Sequence, residues 1–195
     1  MIELLSIIVL ISGIPEEKIL SDISQRYATA EGIQWEVQSV VYSDIFEEAE
    51  TTMVKFAFAP PDTISVTDKQ EKIVGIGDTL WVLSVRHRQV QKKSMAGYTS
   101  PFEFILNWSD SYDLDGYTTD GRTRRFKLVG KEDVIPDKLV VSADQNDRIR
   151  SIVYVDSKGD EVTLTILKEK LKRPGKIDLF YQNIPDDYDL IDLTE

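Results

Sequence analysis

The chain has no cysteine among its 195 residues. That excludes disulfides, thiolate zinc sites, iron–sulfur clusters, a thiol nucleophile and a lipidated cysteine anchor. Histidine is almost as scarce: the single His87 stands between Arg86 and Arg88. Cationic neighbours suit it poorly to general-base work, and no Gly-x-Ser-x-Gly nucleophile turn is present. Cationic excess is lacking too. Lys and Arg number 23 against 34 Asp and Glu, a net charge of −11, so broad nucleic-acid binding is not expected. No apolar run approaches the roughly 20 residues of a membrane-spanning helix. No Gly-, Ser- or Pro-rich linker divides the chain, and no repeat is visible. The expectation is one domain over residues 14–195, monomeric, without cofactor or metal.

What is present begins with an apolar segment. Leu4 to Ile11, followed by Ser12 and Gly13, has the apolar core and small residues of a secretory signal, although Glu3 stands where a basic segment belongs. Residues 1–13 are read as a signal-peptide remnant; a first strand or a buried helix end is the alternative. Pro15 to Ala30 then reads as a helix, with Pro15, Glu16 and Glu17 in its first turn and Ile19, Ile23 and Tyr27 forming one stripe. Gly32 is expected to stop it.

From Ile33 the hydrophobic period changes to two. Ile33, Trp35 and Val37 alternate with Gln34, Glu36 and Gln38; Phe56 and Phe58 alternate with Lys55 and Ala57; Ile64 and Val66 alternate with Thr63 and Ser65. These are half-buried strands, and Pro60-Pro61-Asp62 makes a corner between two of them. Further strands are predicted over 79–85, 122–129, 138–143, 149–156, 161–168 and 176–180. One helix interrupts them. Ser100 can cap it, Pro101 suits its first position, Glu103 is placed for a capping box, and Phe102, Ile105 and Leu106 share a face. Helix, strands, short helix and more strands imply one strongly curved antiparallel sheet with helices on one side, an α+β fold that is mainly β.

The chemical motifs are weak. Gly75-Ile76-Gly77 lacks the third glycine and the helix of a dinucleotide loop. Asp113-Leu114-Asp115-Gly116 would place Ser111 and Arg122 at the ends of a calcium loop, so it reads as an acidic hairpin. Asp186, Asp187, Asp189 and Asp192 read as a solvated C-terminus. Arg122, Arg124, Arg125 and Lys127 form a basic strand edge that is either solvated or a docking face for a membrane surface or an acidic partner.

The order of segments resembles the outer-membrane lipoprotein carrier family, the LolA-like proteins. Ala59-Pro60-Pro61-Asp62-Thr63-Ile64-Ser65-Val66, Gly77-Asp78-Thr79-Leu80-Trp81-Val82, Arg88-Gln89-Val90, Ser100-Pro101-Phe102 with Ile105-Leu106, Val155 to Asp160, and Phe180-Tyr181 with Ile184 to Asp189 are each similar to a family segment in that order. The resemblance implies an incomplete β-barrel closed by helices, no enzymatic activity, and a periplasmic carrier that holds lipoprotein acyl chains or another lipid. It further implies an inner-membrane lipoprotein-releasing ABC transporter as donor and an outer-membrane receptor as acceptor. Ile64 and Val66 match family positions that face the cavity. Trp35, Val37, Phe56, Phe58, Phe102, Ile105 and Leu106 join them as lipid-binding candidates on pattern alone. Pro60 stands where the carriers have a gating Arg, so lid control must differ. The runner-up reading is an extracytoplasmic lipid- or lipoprotein-sensing domain of the same fold.

Overall fold

The computed structural model describes residues 16–194, apart from 97, 99, 133 and 176. The signal-like segment 1–13 and the expected first-turn Pro15 lie outside the described residues. Helix α1 (Glu16–Ala28) buries Leu20, Ile23, Ser24 and Tyr27. That is the expected stripe shifted by a residue toward Leu20, with Ile19 half-buried. The helix ends without help from Gly32. Thr29 closes it, both its backbone N–H and its hydroxyl donating to the Gln25 carbonyl. Gly32 serves a close approach instead: a Cβ there would lie 2.5 Å from Pro174 Cδ and 2.9 Å from the Phe58 carbonyl oxygen.

The strands are β1 (Ile33–Ser43), β2 (Glu48–Ala59), β3 (Thr63–Thr67), β4 (Glu71–Ile76), β5 (Thr79–Ser84), β6 (Gln89–Ser94), β7 (Tyr112–Asp120), β8 (Thr123–Gly130), β9 (Lys138–Asp144), β10 (Ile149–Val155), β11 (Glu161–Lys170) and β12 (Asp189–Leu193). They form one twelve-stranded open sheet in the order β12-β6-β5-β4-β3-β2-β1-β11-β10-β9-β8-β7. Every neighbouring pair is antiparallel except β12 on β6, which is parallel. Tight turns follow from turn chemistry. Gly77, Gly121 and Gly159 carry the positive φ their hairpins need. Asp144 Oδ1 accepts the N–H groups of Asn146 and Arg148, and Asp156 Oδ1 those of Lys158 and Asp160, so both predicted spacers do turn the chain.

Two short helices, α2 (Glu103–Leu106) and α3 (Trp108–Ser111), link β6 to β7. Together with α1 they lie in the hollow of the curved sheet. One apolar cluster joins α1 to α3 with β1, β2 and β7 to β11. The sheet therefore has an inner face that meets the helices and an outer face that does not. Several expectations change. Residues 109–111, expected as loop, belong to α3, and the expected acidic hairpin at 113–116 is strand β7. Residues 177–188, part of which reads as a strand, run across the outer face with one 3-10 turn, Phe180–Gln182. Phe180 is buried there against Val74, Leu83 and Val90, a second small core. The acidic tail supplies β12, where Lys92 Nζ lies 3.1 Å from Asp192 Oδ2.

Candidate lipid-binding face

Strand register decides which side chains share the inner face. Trp35 pairs with Phe56, Val37 with Val54, Phe56 with Val66 and Phe58 with Ile64. Directly opposed residues point the same way, so all six strand candidates stand on one surface. The cap reaches them from above. The Phe102 ring centroid is 4.9 Å from that of Trp35, 5.8 Å from Phe58 and 6.2 Å from Phe56. Phe102 and Ile105 are buried and Leu106 half-buried against the same cluster. Eight of the nine predicted residues therefore belong to, or pack on, one aromatic-rich surface. Ile64 sits at its margin, where Gly75 leaves room: a Cβ at Gly75 would lie 2.7 Å from Ile64 Cγ1 and 2.8 Å from Met95 Sδ.

Beneath α2 the face is filled by the Phe102 ring, so the cap is shut. Open space on the inner face lies one step farther along the sheet. A hollow of about 310 Å³ is lined by Ile73, Leu80, Val82 and Tyr98, with Gln89, Gln91 and Lys93 around it. Tyr98 belongs to the segment that leads into the cap, and burial pushes its phenol up to about 12.

The two ends of the helical layer are held differently. Tyr27 on α1 donates to the buried Glu169 carboxylate and accepts the Ile149 N–H at 2.9 Å. Arg26 and Arg148 approach the same carboxylate at 3.9 and 4.0 Å. Helix α3 is tied down by Lys131, whose backbone N–H donates to the Ser111 carbonyl and whose ammonium donates to that of Ser109. Among the described residues α2 has one side-chain hydrogen bond to the rest of the fold, from the Ser24 hydroxyl to the Ile105 carbonyl. Its entry is local: Phe102 N–H donates to Ser100 Oγ at 3.3 Å and Glu103 N–H to the Ser100 carbonyl at 2.9 Å. Burial raises the Glu103 carboxyl, and the Ser100 N–H pulls the other way. The helix starts two residues later than the Pro101 start predicted from sequence. The layer is thus pinned by charge and backbone at α1 and α3, and by apolar packing at α2.

Sequence reasoning missed Phe104, Trp108 and Tyr112. Phe104 is buried, with its ring centroid 5.5 Å from Tyr154 and 6.3 Å from Tyr112. In a one-turn helix both sides can be buried, so Phe104 falls outside the i, i+3, i+4 stripe that marked its neighbours. The weak motifs are accounted for structurally. His87 is exposed in the β5–β6 turn. Arg124 donates to the Asp144 carbonyl and to Asp147. Asp187 pairs with Arg88 at 3.6 Å. Among the described residues no helix is long and apolar enough to cross a membrane.

No family model matches the chain, and no curated protein matches it. Solved structures do. An uncharacterized conserved protein from Thermus thermophilus superposes with a TM-score of 0.56 at 16% identity, covering 90% of this chain and 98% of the other. A LolA superfamily protein from Nitrosomonas europaea gives 0.48 at 13% identity, covering 90% and 99%. A putative outer membrane lipoprotein-sorting protein domain from Vibrio parahaemolyticus gives 0.49 at 13%, covering 86% and 96%. The superposition on the Thermus protein, over nearly the full length of both chains, shows that the two share a fold.

Proposed function

We propose that the protein is a periplasmic carrier that takes up acyl chains of lipoproteins, or of another lipid, on the inner face of the sheet beneath α2. It collects its cargo at the inner membrane from a lipoprotein-releasing ABC transporter and yields it to an outer-membrane receptor. The observation that carries this reading is the convergence of Trp35, Phe56 and Phe58 on the single ring of Phe102, the residue that leads into a four-residue helix with weak polar attachment. A carrier needs a large apolar surface that is hidden while empty. Here the cap's own side chains do the hiding, and an acyl chain would replace them. Each methylene moved out of water contributes about 0.8 kcal/mol, so the exchange is driven by the cargo itself. The adjoining hollow under Tyr98 gives the chain a place to enter before the cap lifts.

The test uses brominated acyl chains, which quench tryptophan on contact. Trp81 and Trp108 are replaced by Phe, leaving Trp35 as the sole reporter. Saturable quenching of Trp35 that a non-brominated acyl chain reverses supports the reading. Emission untouched at saturating probe, with the folded state intact by circular dichroism, overturns it.

A further inference from the structure

The outer face carries a second site. Residues 173–175 and 177–188 cross it as a strap, fixed at separated points. Pro174 is buried beside Gly32. Lys72 Nζ donates to Asp178 Oδ2 at 2.7 Å. The Tyr181 ring stacks on Trp81 at 4.7 Å with 12° between planes. Between these points the strap bridges a floor of small side chains. On the outer face β2 presents Ala57 and Ala59, and β3 presents Thr63, Ser65 and Thr67. Large residues there would pack up to the strap. Small ones leave it spanning two hollows of about 740 and 500 Å³, which meet at Pro174, Gly175, Ile177 and Asp178. Both volumes are in the range of about 300–1,000 Å³ typical of small-molecule sites.

The two hollows differ in chemistry. The larger has an apolar wall of Ile76, Leu83, Val85, Ile177, Leu179 and Phe180, with Lys72, Arg173, Asp178 and Gln182 also in its lining. The smaller has Lys55, Lys168 and Lys170 at its rim, with Ser65 and Thr67 on its floor. Two carboxylates share that lining, and each already has a lysine: Asp178 accepts from Lys72, and Glu36 accepts from Lys168 Nζ at 2.7 Å, its carboxyl lowered by that bond and by the nearby charges of Lys55 and Lys170. Among the described residues Lys55 and Lys170 take part in no ion pair. In a chain with net charge −11, an ammonium cluster beside an apolar trough is a local reversal of sign, and it matches an anion attached to a chain.

We infer that the groove between the strap and the outer face binds a single-chain anionic amphiphile, its head among Lys55, Lys168 and Lys170 and its chain against Ile76, Leu83 and Phe180. A carboxylate or a phosphate head satisfies the same ammonium and hydroxyl donors. The site lies on the face opposite α2 and does not depend on acyl binding under the cap.

Binding of dodecanoate, dodecyl phosphate and the uncharged dodecyl maltoside is measured by calorimetry on the full chain, at submicellar concentration and low salt. The expected result is at least tenfold tighter binding of an anionic probe than of the maltoside; the ratio of dodecanoate to dodecyl phosphate identifies the head. Lys55→Gln with Lys170→Gln should remove the preference for charge. Ala59→Phe, which fills the floor of the apolar hollow, should weaken all three probes at least tenfold; Thr63→Phe serves if Ala59→Phe does not fold. Phe126→Ala, in the core of the other face, should leave the head-group preference unchanged. The inference is overturned by the absence of saturable binding, by equal affinity for charged and uncharged heads, or by binding that responds to Phe102→Ala and not to the floor variants. The last two outcomes would leave the inner-face reading standing.

Discussion

Removing the Phe102 ring separates a movable plug from ordinary core. Phe102 is only 2% exposed and meets three aromatic rings. Truncating such a residue to alanine costs about 3–5 kcal/mol. In a chain of this length that corresponds to a fall in melting temperature of about 6–20 °C, at about 2–4 °C per kcal/mol. The carrier reading adds a second consequence. With an acyl chain bound, Phe102 has left the face, so its truncation no longer costs anything there. The whole penalty falls on the empty, shut state and reappears as affinity. With about 1.4 kcal/mol per factor of ten, the lower end of the penalty predicts about a hundredfold tighter acyl binding.

The assay is a pair of measurements on Phe102→Ala: a urea melt of the empty protein and the dissociation constant of a fluorescent acyl chain. Phe126→Ala is the control. Phe126 is fully buried in the same cluster but lies on β8, where cargo does not displace it. It should lose comparable stability with no gain in affinity. Unchanged or weaker acyl binding by Phe102→Ala, alongside the expected loss of stability, would refute the argument and make Phe102 plain core.

Three further outcomes follow from packing and charge. Gly32→Ala forces a Cβ against Pro174, Phe58 and Arg173 and should cost about 1–3 kcal/mol; Gly175→Ala meets nothing within 4 Å and should change stability by under about 0.5 kcal/mol. Burial raises the Asp144 carboxyl, but the N–H groups of Arg148 and Asn146 and the Arg150 guanidinium outweigh it and hold the group below its ordinary value of 3.8. Its contribution is therefore present above pH 3.8 and lost as pH falls below it, so Asp144→Asn should flatten the acid limb of the stability curve. Burial, reinforced by Glu169, pushes the Tyr27 phenol well above its ordinary value of 10.0. The stability it brings is complete below pH 10 and is shed as pH rises above it; Tyr27→Phe should flatten that alkaline limb in a pH-jump melt.

The parts of the fold legible in the sequence are those where one local rule acts alone. Period-two alternation placed β1 to β3, and the Pro60-Pro61 corner separated β2 from β3. Asp- and Gly-rich spacers set the hairpins around β10. The rest depends on partners distant in sequence. Asp189 to Leu193 reads as an acidic tail because alternating Asp and Leu is soluble by itself; it becomes a strand because the edge of β6 accepts it and Lys92 meets Asp192. Strand β7 carries Asp113, Asp115 and Gly116, poor strand formers, and is held by pairing with β8. Ile177, Leu179 and Tyr181 alternate like a strand, yet with no strand beside them their apolar groups pack flat on the outer face. At the candidate site, alternation identified the strand residues, while Phe104 escaped because it lies off the stripe of Phe102, Ile105 and Leu106, on a second side of the helix that is also buried.

The energetic balance at the cap explains why a short helix suits this position. Four residues are too few to form a stable helix alone, so α2 holds its place chiefly through Phe102, Phe104 and Ile105. Full burial of such side chains stabilises by about 1.5–3 kcal/mol each, together about 5–9 kcal/mol. At about 0.8 kcal/mol per methylene, the same gain comes from burying about 6–11 methylenes of an acyl chain. One medium-length chain therefore roughly balances the cap, and an anchor with several long chains exceeds it. A longer cap, or one fixed by ion pairs like those around Glu169, would shift that balance toward permanent closure. On the carrier reading, a one-turn cap held by apolar packing keeps the empty face dry and leaves the decision to chain length.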